Sequence, residues 1–162
     1  MIAMVNQKEQ TNEERFPKRK NPRMVGYDYA TPGYYFITIC THQKKCLFWT
    51  EHRLNQLGRL VYDTVMQIPV HFPKNRVDSF VVMPNHLHMI LVVEPGGVDT
   101  SVVVGSMKAY VTRQARRSFP GLRLWQTSYH DHGIRNRKQY ETILRYIDTN
   151  PMRWDKDCFY VE

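Results

Sequence analysis

Residues 81–93 read VVMPNHLHMILVV, two aliphatic and β-branched runs parted by Pro84-Asn85. The composition of RVDSFVVM (76–83) predicts one strand, and that of HLHMILVVE (86–94) predicts another. Two strands joined by so short a link pair antiparallel as a hairpin. Within the second strand stand His86 and His88. Side chains alternate along a strand, so the two imidazoles share one face while Leu87 and Met89 share the other. Imidazoles so placed can hold one divalent ion or orient a phosphate between them. Alone, the pair reads more simply as one solvated histidine and one hydrogen-bonded in a core. A third ligand nearby changes that reading.

Working outward, GYYFITICT (33–41) is aromatic and β-branched, which predicts a strand. Leu57, Leu60, Val61, Val65 and Ile68 recur at helical spacing and predict a helix over 55–70, ending before Pro73. A second helix is expected over 101–119, broken by Pro120-Gly121, then a fourth strand in LWQTSYHDHGI (124–134). The last helix, RKQYETILRYIDTN (137–150), ends at Pro151 because a residue before proline avoids the helical region. The order β-α-β-β-α-β plus a helix predicts an α+β, ferredoxin-like split βαβ fold. Its antiparallel sheet of four to five strands carries helices on one face and leaves the other for a ligand. Residues 1–26, polar and broken by Pro17 and Pro22, read as a loosely packed basic arm. One domain follows over 27–154, with a short tail over 155–162.

The 162 residues suffice for one core, and Lys plus Arg outnumber Asp plus Glu by 23 to 15, a net charge of +8. Such an excess favours a polyanionic partner, nucleic acid first among them. Three cysteines with no C-x-x-C pair read as reduced thiols. No apolar run reaches the length of a membrane span or forms a signal peptide, so a cytoplasmic protein is expected. No phosphate-binding glycine loop of the G-x-x-x-x-G-K-[ST] type is present.

The last helix offers the histidines a third ligand. Tyr146 and Asn150 are four residues apart and share one helical face, at the edge of the face that Ile143, Leu144 and Ile147 anchor. The Asn150 carboxamide oxygen suits a hard cation such as Mg²⁺ or Mn²⁺. A phenolic oxygen beside that cation suits a nucleophile. The structural alternative is a packed tyrosine ring and an asparagine that caps the helix.

H-L-H in a strand followed by YI-x-x-NP on a C-terminal helix resembles the HUH single-tyrosine transposases, and most nearly their REP-associated branch. The likeness runs through GYDYATPGYYFITICTHQ (26–43), VVMPNHLHMILVV, LWQTSYHDHGIRN (124–136) and YIDTNPMRW (146–154). The resemblance implies metal-dependent cleavage and strand transfer of single-stranded DNA beside hairpins, through a 5′-phosphotyrosine. It assigns the divalent ion, Mg²⁺ or Mn²⁺, to His86, His88 and Asn150, and the nucleophile to Tyr146. Insertion-sequence members often carry glutamine where this chain has Asn150. The resemblance admits a monomer or a homodimer, and no base for Tyr146 is evident.

Lys108, Arg113, Arg116, Arg117, Arg135 and Arg137 are candidates to line a DNA path, each equally readable as a surface charge. His130-Asp131-His132 is a competing H-x-H, read as solvated near a strand end. Tyr34, Tyr35, Trp125 and Tyr129 could stack bases, but strand aromatics more often pack cores. Two alternatives stay open: a non-catalytic or domesticated nucleic-acid-binding module, and a phosphodiesterase that activates water.

Overall fold

The computed structural model describes residues 31–162. The expected arm over 1–26, with its Lys18–Lys20 run, lies outside the described residues. The hairpin forms as the sequence requires. Strands β4 (Asn75–Val82) and β5 (His86–Val93) pair antiparallel, and Met83 N–H donates to the His86 carbonyl at 2.8 Å to close the Pro84-Asn85 turn. Strand β1 (Gly33–Cys40) pairs with β5 on one side and with β6 (His130–Ile134) on the other. The sheet order β4-β5-β1-β6, antiparallel throughout, is that of the ferredoxin-like fold.

Every residue of β5 is buried, because this central strand is covered on both faces. Leu87, Met89 and Leu91 face helices α1 (Gln56–Met66) and α3 (Thr100–Ala115), which bring Leu57, Val61, Val65, Val103, Met107 and Val111 to that core. Ile90 and Val92 face the other way, toward helix α4 (Arg137–Thr149) and its Ile143, Leu144 and Ile147. A two-residue ribbon, β2 (Trp49–Thr50) with β3 (Arg53–Leu54), precedes α1. Asn55 caps α1 by accepting from Gly58 N–H at 2.9 Å. A Cβ at Gly58 would lie 2.2 Å from the Phe48 carbonyl oxygen, so only glycine lets this helix approach so closely.

Three boundaries differ from expectation. The 55–70 helix is interrupted at Gln67 and restarts as α2 (Ile68–His71), since Pro69 has no N–H to continue the ladder and sits in a first turn instead. The 101–119 helix ends at Ala115, followed by turns through Phe119. The fourth strand is confined to His130–Ile134. Upstream, Trp125 makes one isolated bridge to Thr41 and buries its ring in the core. The Gln126 and Thr127 carbonyls are taken by Lys108 Nζ, at 2.7 and 3.2 Å, rather than by β1.

A register shift between Val77 and Ser79 marks a bulge in β4. The extra residue, Asp78, accepts hydrogen bonds from the Tyr140 hydroxyl of α4 and from Arg76. The Arg76 guanidinium also lies 5.7 Å from the centre of the Tyr34 ring, and Tyr34 meets Tyr140 edge to face. This polar cluster fastens the first turn of α4 to the sheet edge.

Candidate metal and nucleophile site

The face of β5 that carries Ile90 and Val92 also carries His86 and His88, by the alternation of side chains along a strand. Both imidazoles are buried, at 0% and 1% exposure, yet the Nε2 atom of each has no hydrogen-bond partner. Buried polar atoms are almost always paired, so two adjacent orphans on ligand-type nitrogens point to a cation. Their Nδ1 atoms are held. Thr38 Oγ1, across the β1–β5 ladder, lies 2.8 Å from His88 Nδ1. Asn85 Oδ1 lies 2.8 Å from His86 Nδ1.

The Asn85 amide has a defined orientation, because its Nδ2 donates to the Lys44 and Phe159 carbonyls at 3.0 and 2.8 Å. Its oxygen must therefore accept from His86, which puts the proton on Nδ1 and leaves the Nε2 lone pair free. Thr38 can accept from His88 in the same sense. Burial, reinforced by Lys44, pushes His86 down to about 4, against the opposing pull of Asp157. Burial and then His86 push His88 down to about 2. Both rings are neutral at physiological pH, the form that binds a metal.

Helix α4 crosses above this pair. Its hydrophobic stripe seats Ile147 on the sheet and turns Tyr146 toward the histidines, with ring centres of Tyr146 and His88 5.1 Å apart. Phe36 of β1 stacks on His88 and meets Tyr146 edge to face. One turn on, Asn150 is buried with neither amide atom hydrogen-bonded. Tyr146, Asn150 and Asp157 line a single cavity of about 490 Å³, together with Arg145, Arg153 and Lys156.

Asp157 is the residue that sequence reasoning missed. The segment read as a tail returns across the site. Among the described residues, the His, Cys, Asp or Glu donors close enough to share one ion are His86, His88 and Asp157, all within 4.8 Å of one another. Asp157 Oδ2 lies 3.8 Å from His86 Nε2 and accepts from the Tyr146 hydroxyl at 3.2 Å. Burial and the Asp157 charge raise the Tyr146 pKa well above the usual phenol value. No periodicity marks residues 155–162. The sequence signal available was a carboxylate shortly after Pro151, with Asp155 two residues before it as an equal candidate.

The other candidates separate. His130 and His132 are exposed on the edge strand β6, on the histidine face by register with Thr38 and Phe36, and gather no such donor set among the described residues. Lys108 spends its ammonium on two backbone carbonyls. Arg137 pairs with Glu141 at 2.8 Å. Arg113 and Arg116 line a groove of about 730 Å³ with Arg123, on the α3 side of the sheet and so away from Tyr146. Arg117 and Arg135 are exposed outside both cavities. Tyr35 and Trp125 pack in the core as expected, and Tyr34 packs under α4.

A sheet of this topology with a tyrosine-bearing helix on its open face is the architecture of single-tyrosine transposases. The family model described as Transposase IS200 like matches residues 30–150, and the chain belongs to that family. A Haemophilus influenzae protein described as uncharacterized is 37% identical, over 89% of this chain and 94% of its own length. The Escherichia coli REP-associated tyrosine transposase is 28% identical, over 77% of this chain and 70% of its own. A solved REP-associated tyrosine transposase bound to a REP hairpin superposes with a TM-score of 0.59 at 21% identity, covering 83% of this chain and 74% of that one. The resemblance read from the sequence is thereby borne out. Among the described residues, no helix is long and apolar enough to cross a membrane.

Proposed function

We propose that the protein cuts and rejoins single-stranded DNA at hairpin-forming ends, using Tyr146 as nucleophile and a divalent ion, Mg²⁺ or Mn²⁺, held by His86, His88 and Asn150. It would act on bacterial DNA in the cytoplasm. The observation that carries this reading is the pair of buried, neutral imidazoles whose Nε2 atoms are unpartnered beside Tyr146, its ring centre 5.1 Å from that of His88. Family membership supports the transposition role, and the hairpin-bound structural neighbour supports the substrate class. When bound, the ion would withdraw charge from the scissile phosphate and fix its orientation.

The chain's own residues supply the rest. The Tyr146 oxygen attacks phosphorus, and the bond to the 3′-oxygen breaks. The phenolic proton leaves and the departing oxygen ends as a free 3′-hydroxyl. One phosphodiester replaces another, so the step can reverse on a second DNA end without a nucleotide cofactor. Arg145, Arg153 and Lys156 supply positive charge along the cavity for the strand's phosphates. Tyr146 lies against His88 of the same chain, their ring centres 5.1 Å apart.

The test is to incubate the protein with hairpin-bearing single-stranded DNA and Mg²⁺ or Mn²⁺ and look for a denaturant-resistant protein–DNA adduct. Tyr146→Phe should abolish the adduct while binding persists. Two free DNA ends without adduct would instead identify a water-activating phosphodiesterase, and an intact strand a binding module.

A further inference from the structure

We infer that Asp157, from the segment after the last helix, is a direct ligand of the divalent ion, so that the ligand set carries a negative charge and is not built from imidazoles and an amide alone. The inference rests on the metal reading of His86 and His88 and extends its ligand set.

Three observations carry it. First, the donors converge: both imidazoles and the Asp157 carboxylate offer atoms within 4.8 Å of one another. Second, the Asp157 side chain is only 1% exposed, and among the described residues its ion-pair contact is His86 Nε2 at 3.8 Å. A buried carboxylate without a cation is costly, and a divalent ion between the three groups removes the cost. Third, Asp157 is held in place by the fold. Its Oδ1 accepts from Phe159 N–H at 2.7 Å, and the Phe159 carbonyl is in turn held by Asn85 at 2.8 Å. The Phe159 ring lies against His86 at 4.6 Å, with Lys44 5.3 Å from the ring centre on the tail's other contact. The asparagine that orients a histidine ligand thus also anchors the turn that presents the carboxylate.

Hard divalent ions favour charged oxygen, and carboxylate count is a main determinant of their affinity. Two neutral imidazoles and one carboxylate give that preference to a site that would otherwise carry no charge. Asn150 lines the same cavity and keeps its amide oxygen available.

The test measures Mn²⁺ binding to the full chain without DNA, by loss of the free-ion EPR signal, together with water-proton relaxation to count exchangeable waters on the bound ion. Asp157→Asn keeps an oxygen to accept from Phe159 N–H and removes the charge. Its expected effect is at least tenfold weaker binding, the lower end of what even outer-shell partners cost, with added water on the residual bound ion. Asp157→Glu, which keeps a carboxylate, should bind more tightly than Asp157→Asn. If His86→Ala with His88→Ala abolishes binding while Asp157→Asn matches the parent within twofold, the carboxylate is not a ligand although the metal centre stands. If the double histidine variant binds as the parent does, the metal centre itself is misassigned and the inference falls with it.

Discussion

Asn85 joins two parts of the chain that the sequence holds far apart: its Nδ2 donates to the Phe159 carbonyl at 2.8 Å while its Oδ1 holds His86 Nδ1. One fully buried side chain therefore sets the tautomer of a histidine and the path of the C-terminal segment. Asn85→Ala would orphan His86 Nδ1–H and two carbonyls. A loss of about 2 kcal/mol or more in denaturant unfolding is expected, with faster hydrogen exchange at residues 157–160. An unchanged exchange pattern there would show that the tail is held by other contacts.

The sheet-edge cluster gives a second expectation. Tyr140→Phe removes the hydroxyl that Asp78 accepts from, and leaves Arg76 in place. Because the group is only partly buried, the cost should be about 1 kcal/mol. A double-mutant cycle with Asp78→Asn should return a coupling of similar size. Additive effects would mean the contact contributes nothing.

Acid should destabilise the metal-free protein through its histidines. Both have folded pKa values depressed from 6.5, His86 to about 4 and His88 to about 2. Below pH 6.5 the unfolded chain therefore binds more protons than the folded one, and stability falls as pH falls toward 4. The slope should approach ~1.4 kcal/mol per pH unit for each histidine. His88→Asn should flatten the profile measured by chemical unfolding between pH 6.5 and 4, and an equal slope in both proteins would contradict the assignment.

The two groups of basic residues should behave differently toward DNA. Arg153→Ala, in the tyrosine cavity, should weaken single-strand binding across sequences and reduce the salt slope by about 1. Arg137→Ala, whose partner is Glu141, should leave both unchanged. Fluorescence anisotropy over a salt series measures each, and the reverse pattern would relocate the strand.

What the sequence disclosed, and what it withheld, follows physical lines. The hairpin was legible because a two-residue link between apolar runs admits few alternatives. Strand period paired His86 with His88 and helix period paired Tyr146 with Asn150, while the assignment of both pairs to one site came from the family resemblance. The segment 124–129 misled, since its strand-like composition reflects Trp125 in the core, and its contact with the end of β1 stops at the Thr41 bridge and one bond from Gln126 N–H to the Cys40 carbonyl. Asp157 was invisible because it lies in irregular backbone, where no period links a residue's number to its direction. The basic residues on regular helices drew notice, whereas Arg153 and Lys156, beyond Pro151, became relevant only once the chain's return across the histidines was seen.

The wide spacing of the site along the chain has a consequence for biosynthesis. Thr38 and the hairpin histidines precede α3 in the chain, whereas β6, Tyr146 and Asp157 all follow it. A ribosome-bound chain that has emerged only through α3 possesses the imidazoles and lacks the edge strand, the tyrosine and the carboxylate that gather around them. The order in which residues emerge thus separates the histidine pair from the groups that converge on it.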